Sequence, residues 1–180
     1  MKIPKNCKLE KVASKDQTRE ALNYILIENK NDETHAVATD GRKLAVVPVV
    51  LCDDDQLDGE KLMLPKALTE ARKQAKQAKE STIGLNGAAL MPNGECYPVR
   101  DDLNFPNWRQ VVPTGGTYQT ISFNAKFLYE LAQAIGCQND CVQLQIEINP
   151  ETGHLDPLRP LVIEEKTTGA KGILMPCRNP

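Results

Sequence analysis

Aromatic side chains are scarce in this sequence, at 4% of residues with a single tryptophan. Aliphatic residues must therefore do most of the packing, and a hydrophobic fraction of 41% over 180 residues is enough to supply a core. Long apolar runs are missing too. No stretch approaches the ~20 apolar residues of a membrane span, and Met1-Lys2-Ile3-Pro4-Lys5 leads into polar residues rather than a signal-peptide core. No membrane partner is expected. Excess positive charge is absent, since the formal net charge is -2. That excludes a uniformly basic, histone-like DNA binder and leaves room for a local basic face.

Metal-binding and catalytic signatures are equally thin. There are two histidines, and the six cysteines at 7, 52, 96, 137, 141 and 177 form no CxxC pair. No ready zinc ligand set exists, and no metal or cofactor is expected. The simple reading of the cysteines is reduced thiols in a cytoplasmic protein. HExxH, GxSxG, a Walker loop and a dinucleotide fingerprint are all lacking. Asp53-Asp54-Asp55 reads as loop, because consecutive acids point in different directions. Cys137 and Cys141, at a helix end, leave a redox pair open, and His35 and His154 have no evident nucleophile partner. No enzymatic activity is expected, with a small enzyme of unrecognised site as the remote alternative.

What is present is a succession of short strands around two helices. Cys7–Ser14 is a strand or extended lead-in, and Leu22–Glu28 is a β-rich run closed by a turn at 29–33. His35–Thr39 and Lys43–Leu51 predict a hairpin about Asp40-Gly41, with Pro48 favouring an edge, a bulge or a bend. An acidic loop at 52–60 precedes the clearest helix, Pro65 to Glu80, whose buried stripe is Leu68, Ala71, Ala75 and Ala78. Strands follow at Thr82–Leu85, Ala88–Met91 and Glu95–Val99. Residues 101–113 read as a connector and 114–117 as a flexible joint. Trp108 and Arg109 are expected to pin this connector by packing rather than to stack on nucleic acid. Thr120–Phe123 predicts a strand, and Asn124 caps a second helix, Ala125–Ile135, stopped by Gly136. In 142–148, Val142, Leu144, Ile146 and Ile148 alternate with polar residues, which predicts a half-buried strand, followed by strands at Leu161–Glu165 and Ala170–Met175. Strand, helix and three strands thus occur twice with a period near 60 residues.

Read alone, the segment HAVATDGRKLAV at 35–46 is a hairpin with a basic tip. It also resembles the ATDGHRLA signature of the β sliding clamp of bacterial DNA polymerase III. Five further segments resemble that family, in the same order. Lys8–Glu28 resembles the stretch leading into the hairpin. Met63-Leu64-Pro65-Lys66 is similar to the entry of a clamp helix, and 105–113, FPNWRQVVP, to the connector FPDYRRVLP. Ile121-Ser122-Phe123-Asn124 is similar to the entry IxFN, and 172–178, GILMPCR, to the terminal VVMPMR. The resemblance implies an α+β, DNA-clamp-like fold: two helices packed on antiparallel sheets built from repeated β-α-β-β-β units. It divides the chain into 1–104, like a middle domain without its first helix, a connector 105–119, and 120–180, like half of a last domain, together one compact unit.

Clamps take a short glutamine-containing peptide of partner proteins into a groove between the middle and last domains. The resemblance carries Thr39, Gly41, Lys43, Leu44, Pro65, Met175, Pro176 and Arg178 to that groove, with Arg42 and Cys177 departing from the usual histidine and methionine. It implies that Lys66, Arg72, Lys73, Lys76 and Lys79 contact double-stranded DNA through phosphate, without reading bases. The expected function is a clamp-like module that binds peptides of polymerase or other replication proteins and contacts DNA as part of a homo-oligomer. A monomeric decoy or adaptor for the same peptides is the alternative.

Overall fold

Alternation of apolar and polar residues builds the larger sheet. In the computed structural model of the protein, described over residues 1–113, 115–137, 141–156 and 158–177, β2 (Ile25–Lys30), β3 (Glu33–Thr39) and β4 (Leu44–Pro48) form an antiparallel meander. Asn31 and Asp32 make the first turn with φ of +55° and +61°, a left-handed geometry that their short polar side chains tolerate. The expected hairpin is present, with Thr39 paired to Leu44 and His35 to Pro48. Pro48 is accommodated because β4 is an edge strand. With β5 (Glu60–Met63), β7 (Gly84–Leu85), β8 (Ala88–Leu90) and β9 (Cys96–Arg100), the sheet has seven strands in the order β4-β3-β2-β5-β9-β8-β7. A separate pair joins β1 (Lys2–Pro4) to β6 (Glu80–Thr82).

The chain divides into two compact units, Met1–Val112 and Pro113–Pro180. In the first, the two faces of β2 serve two cores. Ile25 and Ile27 point one way, onto Ala36, Ala38, Met63 and the helix α1 (Pro65–Gln74). Leu26 points the other way, onto Leu22, Val37, Leu62 and Phe105. Helix α1 starts at the expected proline but ends at Gln74, six residues before the expected Glu80. The alanine stripe fades there: Ala67, Leu68 and Ala71 are buried, whereas Ala78 is exposed. Lys76 turns to φ +37°. The Lys5 amide donates to the Lys79 carbonyl at 2.9 Å, and its ammonium donates to the Lys76 carbonyl. These bonds draw 76–79 into the turn that feeds β6. Cys7–Ser14 likewise forms no strand but a 3-10 turn at Leu9–Lys11 that buries Leu9.

In the second unit, α2 (Ala125–Ala134) lies against a three-stranded sheet, β10 (Gln143–Gln145), β11 (Leu161–Glu164) and β12 (Lys171–Leu174), in that order. Asn124 caps the helix as expected, its Oδ1 accepting from the Lys126 amide at 2.9 Å. Gly136 follows at φ +70°. Gly172 lies beneath the helix, where a Cβ would meet Leu131 Cδ2 at 3.4 Å, close to ordinary contact. Thr120–Phe123 is extended but not a regular strand. Its tie to the sheet is the Cys177 amide donating to Ser122 O at 2.7 Å, with Ile121 and Phe123 packed on Leu161, Ile163 and Leu174. The run 142–148 is a strand only over Gln143–Gln145, at the sheet edge, so Leu144 and Ile148 stay exposed while Val142 and Ile146 are half-buried.

Candidate functional site

The hairpin tip is held by its own side chains. Thr39 Oγ1 accepts from the Gly41 amide at 3.0 Å and donates to the Lys43 carbonyl at 2.8 Å. Asp40 Oδ1 accepts from the amides of Arg42 (2.9 Å) and Lys43 (3.0 Å). Those two amides, with the nearby Lys43 ammonium, hold the Asp40 carboxyl below the usual carboxylate range. Gly41 takes φ +86°, which a side chain would strain. The tip is thus preorganised before any ligand arrives.

Beside it lies a cleft of about 290 Å³ lined by Thr39, Gly41, Lys43 and Leu44, with Arg42. The opposite wall comes from residues not foreseen for this role: Leu22, Trp108 and Val111. That wall depends on Glu28. This residue sits on the connector face of β2 with its side chain 5% exposed. One of its oxygens accepts from Trp108 Nε1 at 2.7 Å and from Arg109 Nη1 at 2.5 Å. Arg109 also lies over the Trp108 ring at 4.3 Å, and the His35 ring meets Trp108 edge-on at 5.9 Å. Trp108 and Arg109 therefore pin the connector to the sheet, as expected. Glu28 gave no signal of this role in the sequence, since it ends the apolar run of β2 and is followed by Asn29 and Lys30.

A second apolar cleft, of about 610 Å³, lies in the second unit between α2 and the chain's tail. Ile173, Met175 and Pro176 line it from β12 and the tail, with Phe127 and Leu131 of α2 opposite and Glu130 beside them. Met175 is 61% exposed. Of the remaining expected groove residues, Pro65 sits at the first turn of α1, outside both clefts. Arg178 lies outside the described residues, as does Thr114 of the joint.

The five expected DNA-facing cations differ in their surroundings. Lys66 and Lys73 project from α1, Lys66 over the Tyr97 ring at 5.7 Å and Lys73 paired with Glu70 at 2.8 Å. Lys76 and Lys79 are exposed but stand beyond the helix. Arg72 turns inward. Its guanidinium pairs with Glu10 at 2.5 Å and reaches the Cys7 carbonyl at 3.5 Å. The hydrogen bond that Arg72 donates to Glu10 raises the Arg72 pKa above its usual value against the opposing effect of burial.

Asp55 and Cys137, two groups with catalytic potential, have structural surroundings. Asp55 accepts from the N-terminal ammonium and from the amides of Cys52 (2.6 Å) and Leu85 (2.7 Å), a structural role at the mouth of the acidic loop. No group of three His, Cys, Asp or Glu placed to hold a metal occurs among the described residues. Burial, with Glu165 and Cys141 nearby, pushes the Cys137 thiol up, away from the reactive thiolate. Among the described residues, no helix is long and apolar enough to cross a membrane.

No family profile matches this sequence, and neither does any curated protein. Solved structures do match. A DNA polymerase sliding clamp from Pseudomonas aeruginosa is similar over 100% of this chain and 52% of its own, at 19% identity and TM-score 0.65. The fold is that of a DNA sliding clamp. A C. crescentus β sliding clamp with polyethylene glycol bound is similar over 99% of this chain and 65% of its own, at 18% identity and TM-score 0.61. A DNA polymerase III β subunit clamp from Bartonella birtlesii, bound to griselimycin, gives 99%, 66%, 17% and 0.58 for the same measures. The chain therefore spans between half and two-thirds of these clamps, and its clamp fold is a partial one, in the expected α+β class with two helices on mostly antiparallel sheets.

Proposed function

We propose that this chain is a clamp-type binding module that presents two peptide-binding clefts, the hairpin cleft in its first unit and the tail cleft in its second. The observation that carries the reading is the exposure of apolar side chains in both clefts, Val111 at 70% in one and Met175 at 61% in the other. Such surfaces mark binding sites in soluble proteins. The ligand is an extended peptide of a polymerase or another replication protein. Leu44, Val111, Phe127 and Met175 offer apolar walls, and Met175 can repack around different side chains. Lys43 and Arg42 set a basic rim at the hairpin cleft, and Pro65 supports that cleft.

Lys66, Lys73, Lys76 and Lys79 form the surface that contacts DNA phosphate in an oligomer, in the cytoplasm. Arg72 contributes to the helix's anchorage instead. The engagement of Arg72 by Glu10 and of Lys73 by Glu70 gives some support to the other reading, a monomeric adaptor that binds the peptide and not DNA.

Titration of the protein with a labelled glutamine-containing clamp-binding peptide tests the proposal. Removing the buried part of Leu44 or Met175 costs about 1.5–2 kcal/mol, so Leu44→Ala and Met175→Ala each weaken binding roughly 10- to 30-fold. Unchanged affinity in both variants removes the groove assignment.

A further inference from the structure

We propose that Arg42 makes the hairpin cleft selective for a peptide that carries an aspartate or glutamate beside its apolar anchor. The inference rests on the peptide reading of that cleft and names a feature of the peptide which that reading leaves open. Arg42 lines the cleft from the hairpin tip and is exposed. Its backbone amide donates to Asp40 Oδ1 at 2.9 Å. Its guanidinium has no ion-pair or hydrogen-bond partner among the described residues.

The acids around the tip are engaged elsewhere. Asp40 Oδ1 accepts from two backbone amides, and its Oδ2 pairs with the Lys43 ammonium at 3.4 Å. Asp16 pairs with Arg19 at 3.1 Å and accepts from the amide and the hydroxyl of Thr18 at 2.9 and 2.7 Å. The Arg19 guanidinium in turn lies against the tip, since a Cβ on Gly41 would come 2.7 Å from its Nη1. Glu28 is held by Trp108 and Arg109. Among the described residues, no acidic side chain lines the cleft itself. The cleft therefore has one uncompensated positive charge, at Arg42, next to the apolar walls of Leu44, Trp108 and Val111.

An occupant that matches this surface brings an apolar side chain and a carboxylate within a residue or two of each other. A carboxylate fits the planar fork of a guanidinium through two parallel hydrogen bonds. An apolar residue seated beside the pair excludes water and strengthens the attraction. Nucleic acid matches less well. Phosphate binding draws on several free cations, and here the neighbouring Lys43 and Arg19 already have carboxylate partners. The carboxylate is that of a side chain within the peptide; a peptide's C-terminal carboxylate has the same chemistry and is separated from it by the test.

Fluorescence anisotropy with a labelled glutamine-containing clamp-binding peptide reads the preference on the full chain. The peptide is made with aspartate in turn at each position flanking its apolar residues, and with asparagine at the same position, every version having an amidated C-terminus. The expected result is an aspartate version that binds about fivefold more tightly than its asparagine counterpart, the upper end for a solvent-exposed ion pair. The preference should fade in about 1 M salt, vanish in Arg42→Gln, and persist in weakened form in Arg42→Lys. In Arg42→Glu it should reverse, so that lysine at that position binds better than aspartate. Circular dichroism should be unchanged in all three variants, because the guanidinium holds nothing in place. Equal affinity of the aspartate and asparagine versions at every position overturns the proposal and leaves the cleft reading standing, provided that Leu44→Ala weakens both. A preference that survives Arg42→Gln overturns it too, as does one that appears only when the C-terminus is a free carboxylate. So does displacement of the peptide by a single-stranded oligonucleotide. Failure of every version to bind overturns the cleft reading and this inference with it.

Discussion

Replacing Glu28 tests whether one buried carboxylate holds both the connector and a wall of the hairpin cleft. Its oxygen accepts from Trp108 Nε1 at 2.7 Å and Arg109 Nη1 at 2.5 Å, with the Glu28 side chain 5% exposed. A hydrogen bond to a charged group contributes about 1.5–3 kcal/mol. The Arg109 side chain is one-third exposed, so its share is discounted for solvent screening to under about 1 kcal/mol. The Trp108 bond contributes most of the remainder, and Glu28→Ala should destabilise the protein by about 2 kcal/mol. For a unit of this size that lowers the melting temperature by roughly 10 °C. Glu28→Gln keeps an acceptor for the indole and loses only the charge, so its effect should be less than half as large. Trp108 is the single tryptophan, and its emission reports on the connector alone. In Glu28→Ala the emission should shift to the red well below the unfolding midpoint, and peptide affinity should fall although Glu28 lines the face behind the cleft wall. An unchanged midpoint together with unchanged emission would refute this account of the connector.

Two other perturbations separate structural from binding roles. The Thr168 amide, with the Thr167 amide and the Thr168 hydroxyl, pulls the Glu165 carboxyl down to about 2. A depressed pKa stabilises the fold above the unfolded value of about 4.3, and that contribution is lost as pH falls toward 2. Glu165→Gln should therefore flatten the acid side of the stability profile, measured by urea unfolding between these limits, and leave neutral pH binding intact. Retention on circular DNA should weaken with salt, and Lys66→Ala combined with Lys76→Ala should reduce the slope of log affinity against log salt by about 1.8. Arg72→Ala should instead lower the melting temperature, because its partner is Glu10.

Much of the architecture was legible in residue patterns. The Asp40-Gly41 turn, the proline start of α1, the Asn124 cap and the Gly136 stop each rest on local chemistry, and local chemistry survives folding. The far end of α1 was less legible because it is decided by distant bonds: Lys5 holds 76–79 in a turn. The same holds for Leu9–Lys11, where burial of Leu9 outweighs a weak alternation. At the hairpin cleft, the near wall could be read from the motif. The far wall could not, because Trp108 and Val111 reach it only through the docking of a connector some 80 residues from Glu28 in sequence. Arg72 shows the opposite limit. Spacing groups it with the lysines, but its reach to Glu10 is a tertiary fact.

Whether a clamp-binding peptide seats in these clefts is the most direct question. A clamp-binding peptide carrying a photoreactive group at each end, bound to the full chain and mapped by mass spectrometry, answers it. Adducts should form on 39–44 and on 173–177, and excess unlabelled peptide should abolish them. Adducts absent from both segments, or scattered over the surface and insensitive to competitor, would contradict the peptide-binding reading.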